Sequence, residues 1–154
     1  PVQGVPLSPL MPYFVVGLTS LFENGVLPSI LPYATARYSK KDYHIASTLP
    51  MGPLALVSLT YFQVSRAVVL IMALALVVLI GLIGWVGLGG VDFGGAATIA
   101  AVLLAKLLLV YSKASSMCHL KGAAIQHQEA QKHLEMAGVV MQVCSCVGAV
   151  VMFV

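Results

Sequence analysis

Glu23-Asn24-Gly25-Val26-Leu27-Pro28-Ser29 lies in the middle of an apolar stretch, residues 13–36, that is long enough to cross a bilayer. A carboxylate at that depth costs about 2.5–3.5 kcal/mol on insertion scales, and an intramembrane charge points to a functional site by default. Pro28 and Pro32 each remove a backbone donor and crowd the turn before them, so this span is expected to be bent or broken. Interrupted helices of this kind line solute sites near the midplane of carriers.

The rest of the chain fits a membrane setting. Of its 154 residues 60% are apolar and 8% charged, with a mean hydropathy of +0.99. Soluble domains carry roughly a quarter charged residues, so this chain cannot cover a water-facing surface. The net charge of +3 forms no basic stripe with interleaved aromatics, and no nucleic-acid partner is expected. Cys118, Cys144 and Cys146 lack zinc spacing and read as small membrane-buried side chains.

Residues 1–12 contain four prolines and read as a linker. Five spans follow, at about 13–36, 44–63, 67–88, 96–118 and 136–154. The second is expected to bend at Pro50 and Pro53, and the third, without a charge, to face lipid and end at Trp85. Residues 37–42 and 89–95 read as loops, and 119–135 as a polar surface segment. The chain opens at Pro1 and closes in an apolar run, and is read as a piece of a longer polytopic protein. The basic residues of alternate connections nearly balance, so charge bias does not orient the spans.

The polar residues inside the spans are the candidate site. Glu23 faces either a wet cavity or an ion pair with Lys106 or Lys113. Asn24 and Gln142 each offer a donor beside an acceptor, suited to a ring edge or to a helix–helix hydrogen bond. Lys106 and Lys113, seven residues apart, share one helix face; Lys106 is deeper and either points inward or snorkels, and Lys113 is near enough to the helix end to snorkel. His119, His127 and His133 lack the spacing of a metal site. No cofactor motif is present, and no nucleophile–base set that would make an enzyme.

Taken in order, Asn24-Gly25-Val26-Leu27-Pro28-Ser29, Tyr43-His44-Ile45-Ala46, Pro53-Leu54-Ala55, Tyr111-Ser112-Lys113, and Gln142 with Val147 to Phe153 resemble the animal riboflavin transporter family. The resemblance covers most of residues 17–154. It implies an all-α membrane protein whose five helices form the C-terminal bundle of a two-bundle, alternating-access carrier, the N-terminal bundle being missing. It implies riboflavin as the substrate and the plasma membrane as the location; the physical reading of the polar residues, taken with it, gives Glu23, Asn24, Pro28, Tyr111, Lys113 and Gln142 as the expected solute-binding residues. Leu31 stands where relatives usually carry Gln, Glu23 where they often carry Thr, and Lys106 where they are often apolar. A carrier of another flat heterocycle, such as a nucleoside, and a multi-span receptor or scaffold are the alternatives.

Overall fold

In the computed structural model, which describes residues 10–50, 64–123 and 127–153, the first span is one continuous helical path. It consists of α1 (Leu10–Leu21), a π-helical turn (Phe22–Val26) and α2 (Leu27–Ala36). The chain is not broken at either proline. The irregularity lies one turn earlier, where the Leu27 N–H reaches back five residues to the Phe22 carbonyl. A proline disturbs the turn that precedes it, and one extra residue in that turn accommodates the ring of Pro28. Two hydroxyls near the prolines add side-chain hydrogen bonds to backbone carbonyls of the preceding turn. Ser29 Oγ donates to the Gly25 carbonyl at 2.9 Å and Thr35 Oγ1 to the Leu31 carbonyl at 2.7 Å.

The helix starts at Leu10, earlier than the expected residue 13, and Pro12 falls in its first turn, where N–H groups have no helical partner anyway. The 37–42 segment is only partly a loop. Ser39 caps α3 (Lys40–Thr48) by accepting the Asp42 N–H at 3.0 Å. The remainder of the expected second span, with Pro53, lies outside the described residues. Next come α4 (Arg66–Gly87), α5 (Gly95–Ala123) and α6 (His127–Phe153). The polar 119–135 segment is therefore not a separate surface element. Apart from residues 124–126, it extends α5 and begins α6.

Among the described residues four stretches are long and apolar enough to cross a membrane: Leu10–Thr35, Arg66–Gly87, Gly95–Lys121 and Glu129–Val151. The described residues are all helical or in short connections, without strands. α4 buries Val69, Ala73, Leu76, Ile80, Ile83 and Val86 along one face and exposes Ile71, Leu74 and Val78 on the other. Apolar on both faces, it suits a helix between protein and lipid. The first span is the most enclosed, with α1 packed on α5 and α6, and α2 on α3 and α4.

Burial in lipid brings no hydrophobic transfer energy between helices, so close packing and hydrogen bonds must hold the bundle. At one end, the Tyr38 hydroxyl and the Gly94 N–H donate to Asp92 Oδ1 at 2.8 and 2.9 Å, joining the connection after α2 to the one before α5. Gly89 and Gly94 take positive φ, 81° and 79°, and turn that connection tightly. At the other end, Tyr13 bonds to the His133 ring, and the His119 ring to the Val64 carbonyl.

The Tyr38 and Gly94 hydrogen bonds hold the Asp92 carboxyl below its ordinary value. A depressed carboxylate stabilises the fold above its unfolded pKa and loses that contribution as pH falls through the folded one. Tyr38→Phe should thus lower the melting temperature at pH 7. The difference from wild type should shrink below about pH 3, under the ordinary Asp value. Equal differences at both pH values would contradict the loop contact.

Candidate functional site

Glu23 sits in the π turn at mid-span, and its carboxylate accepts a hydrogen bond from Lys113 Nζ on α5 at 2.7 Å. Both side chains are partly open, 40% for Glu23 and 28% for Lys113, so the ion pair borders accessible space instead of being sealed. The expected snorkelling of Lys113 is not observed. α5 continues to Ala123, which leaves Lys113 too deep in the helix, and Glu23 is the nearer polar partner.

Beside this pair lies a cleft of about 340 Å³, within the ~300–1,000 Å³ usual for small-molecule sites. Each of three elements contributes one helical stripe to it. The first span gives Glu23, Leu27 and Leu31 at four-residue intervals, with Pro28 beside them. α3 gives Tyr43 and Ser47, also four apart, and α5 gives Lys106, Leu109 and Val110. Residues spaced by three and four stack along one side of a helix, which is why these particular positions converge. The walls are mostly aliphatic, with a carboxylate, an ammonium and two hydroxyls set among them.

The six residues expected at the site divide into two groups. Glu23 and Pro28 line the cleft, and Lys113 touches it through Glu23. Asn24, Tyr111 and Gln142 are outside its lining. Asn24 is the next residue along the π turn and so faces a different side of the helix from Glu23. Its Nδ2 donates to Ser145 Oγ on α6 at 2.8 Å and to the Ser20 carbonyl at 3.4 Å. Gln142, three residues before Ser145, is exposed on α6, and Tyr111 is half-buried on α5. Tyr43, Ser47 and Lys106 were not among the expected contacts. The four-residue spacing from Tyr43 to Ser47 is visible in the sequence, but nothing there shows that α3 folds back against the first span.

Interhelical hydrogen bonds in membranes contribute about 0.6 kcal/mol on average. Asn24→Ala and Ser145→Ala should each lower stability in detergent by about that amount, and the double variant should lose little more than either one. Fully additive losses in a double-mutant cycle would mean that the two side chains do not interact.

A polar pair facing a partly apolar cleft, within a bundle of membrane-length helices, suits passage of a small solute. Residues 8–154 match the sequence profile of solute carrier family 52, riboflavin transporter. The chain belongs to that family. Solute carrier family 52 is a family of transporters and not of enzymes, and its assignment makes this a multi-pass membrane protein with a lipid bilayer and a small-molecule substrate as partners. Searches of curated proteins and of solved structures gave no match. Among the described residues of this riboflavin transporter family member no group of His, Cys, Asp and Glu is placed to hold a metal ion, and its three cysteines are free.

Proposed function

We propose that the protein moves riboflavin across the plasma membrane by alternating access, with the Glu23 cleft forming one wall of the solute path. The supporting observation is the accessible Glu23–Lys113 pair at mid-span beside a cleft of small-molecule size, in a chain of the riboflavin transporter family. Leu27, Leu31, Leu109 and Val110 supply apolar area for a flat ring system. The Glu23 carboxylate, the Tyr43 and Ser47 hydroxyls and the Lys106 ammonium supply partners for ribityl hydroxyls and for ring carbonyls.

Carrier sites sit near the midplane between two bundles. Glu23 is the fourteenth of the 26 residues in its span, which places it at about half depth. Asn24 and Gln142, exposed on the α6 side, are proposed as contacts made when a second bundle closes against this one. A polar surface at this depth is costly against acyl chains and is accommodated by a protein partner or a wet passage.

Cells expressing the full-length protein should accumulate labelled riboflavin in a saturable way, and excess unlabelled riboflavin should suppress it. Uptake no greater than in control cells, with the protein present at the surface, would count against riboflavin as the solute.

A further inference from the structure

Charge in the cleft does not balance. Glu23 contributes one negative charge and is engaged by Lys113, yet Lys106 lines the same cleft and carries a second positive charge. No carboxylate of the described residues lies within ion-pairing distance of Lys106. Lys106 is the twelfth of 29 residues in α5, roughly 16 Å along the axis from its start, and is half-buried. A cation at such depth is retained where it meets a counter-charge or a polar ligand.

A second donor is also unused. The Tyr43 hydroxyl lines the cleft and has no hydrogen-bond partner among the described residues. Ser47, one turn along α3, already donates its hydroxyl to the His44 carbonyl at 3.0 Å and offers its oxygen only as an acceptor. Among the described residues the cleft thus combines an ammonium without an ion-pair partner and a phenol without a hydrogen-bond partner with aliphatic walls and a carboxylate that Lys113 engages. An anionic oxygen group attached to a flat, largely apolar body has the complementary chemistry.

We propose that Lys106, assisted by Tyr43, forms an anion subsite in this cleft that takes the phosphate of a phosphorylated flavin. The monoester is then recognised by the same protein as the free vitamin. This rests on the riboflavin reading above and adds a substrate class to it. The ammonium meets the phosphate as a point charge, Tyr43 donates one hydrogen bond, and the Glu23–Lys113 pair keeps the neighbouring carboxylate from repelling the ester.

The test is equilibrium binding of labelled riboflavin to the full-length protein in detergent, displaced by riboflavin 5′-phosphate or by unlabelled riboflavin. Wild type should give comparable or tighter displacement by the monoester. Lys106→Leu should shift the ratio of the two affinities against the monoester by at least about tenfold, whatever it does to riboflavin itself, and Lys106→Arg should keep the ratio within about threefold. Sodium chloride at matched ionic strength should displace neither ligand. An unchanged ratio in Lys106→Leu, or equal displacement by chloride, overturns the phosphate subsite while leaving the riboflavin reading intact. Failure of wild type to bind riboflavin at all overturns both.

Discussion

Glu23→Gln is expected to reduce riboflavin uptake at least tenfold at equal surface expression. The substitution keeps shape and hydrogen-bonding capacity but removes the only negative charge lining the cleft among the described residues. Lys113 then loses its counter-charge, and Lys106 lines the cavity without a carboxylate there. Breaking a buried pair costs 3–5 kcal/mol, whereas exposed pairs contribute 0–1 kcal/mol. With 40% and 28% of their side chains accessible, Glu23 and Lys113 fall between these limits. A tenfold loss needs only about 1.4 kcal/mol. Exchanging the two charges, Glu23→Lys with Lys113→Glu, should recover part of what either single change loses. Initial rates of uptake measure both effects, and a rate for Glu23→Gln within twofold of wild type would remove the ion pair from the transport path.

The largest effect on folding is expected at Gly25 and Gly148, where the π turn crosses α6. A Cβ on Gly25 would stand 2.5 Å from Gly148 Cα and 2.7 Å from its carbonyl oxygen. One on Gly148 would stand 2.8 Å from the Leu21 carbonyl oxygen. The obstructing atoms are backbone, so no rotamer change relieves the clash and α6 must move away. Overpacking typically costs about 1–3 kcal/mol. Here the separation would also strain the Asn24–Ser145 bond, so Gly25→Ala and Gly148→Ala should fall at or above the upper end of that range. Gly81 and Gly84 on α4 have open space where a Cβ would go. Alanine there should be neutral or stabilising by up to about 1 kcal/mol, since glycine is the poorer helix former. Thermal denaturation of the four variants in detergent makes the comparison, and similar melting temperatures for all four would contradict the close crossing.

Much of this was readable from the chain. The charge-free third span appears as α4 between Arg66 and Gly87, because an uninterrupted apolar run of that length has few alternatives. Glu23 stood out because a carboxylate in hydrocarbon needs an explanation, and one of its two candidate partners, Lys113, is the one found. Harder to read was where proline acts. Pro28 and Pro32 both suggested a bend or break, with crowding in the turn before each; the backbone adjusts as a π turn before Pro28 and stays helical through Pro32. The close contact between Gly25 and Gly148 depends on residues more than a hundred positions apart, and no local pattern encodes it. The same holds for Tyr43 and Ser47, whose stripe becomes a wall only once α3 packs against α2 and α5. For Lys106 the chain left an inward and a snorkelling position open; that it lines the cleft without an ion-pair partner among the described residues emerges only in the folded bundle, where Lys113 engages Glu23.

The most direct test of the proposed solute path is the reactivity of a single cysteine placed in the cleft. Ser47→Cys in a full-length protein whose native cysteines, Cys118, Cys144 and Cys146 among them, are replaced by alanine puts a small thiol in the cleft that Glu23 and Lys106 also line, with little change in volume. The thiol should react with a membrane-impermeant, water-soluble thiosulfonate, and saturating riboflavin should slow that reaction several-fold. A thiol that never reacts, or one that reacts at the same rate with and without riboflavin, would show that the vitamin does not pass through this cleft.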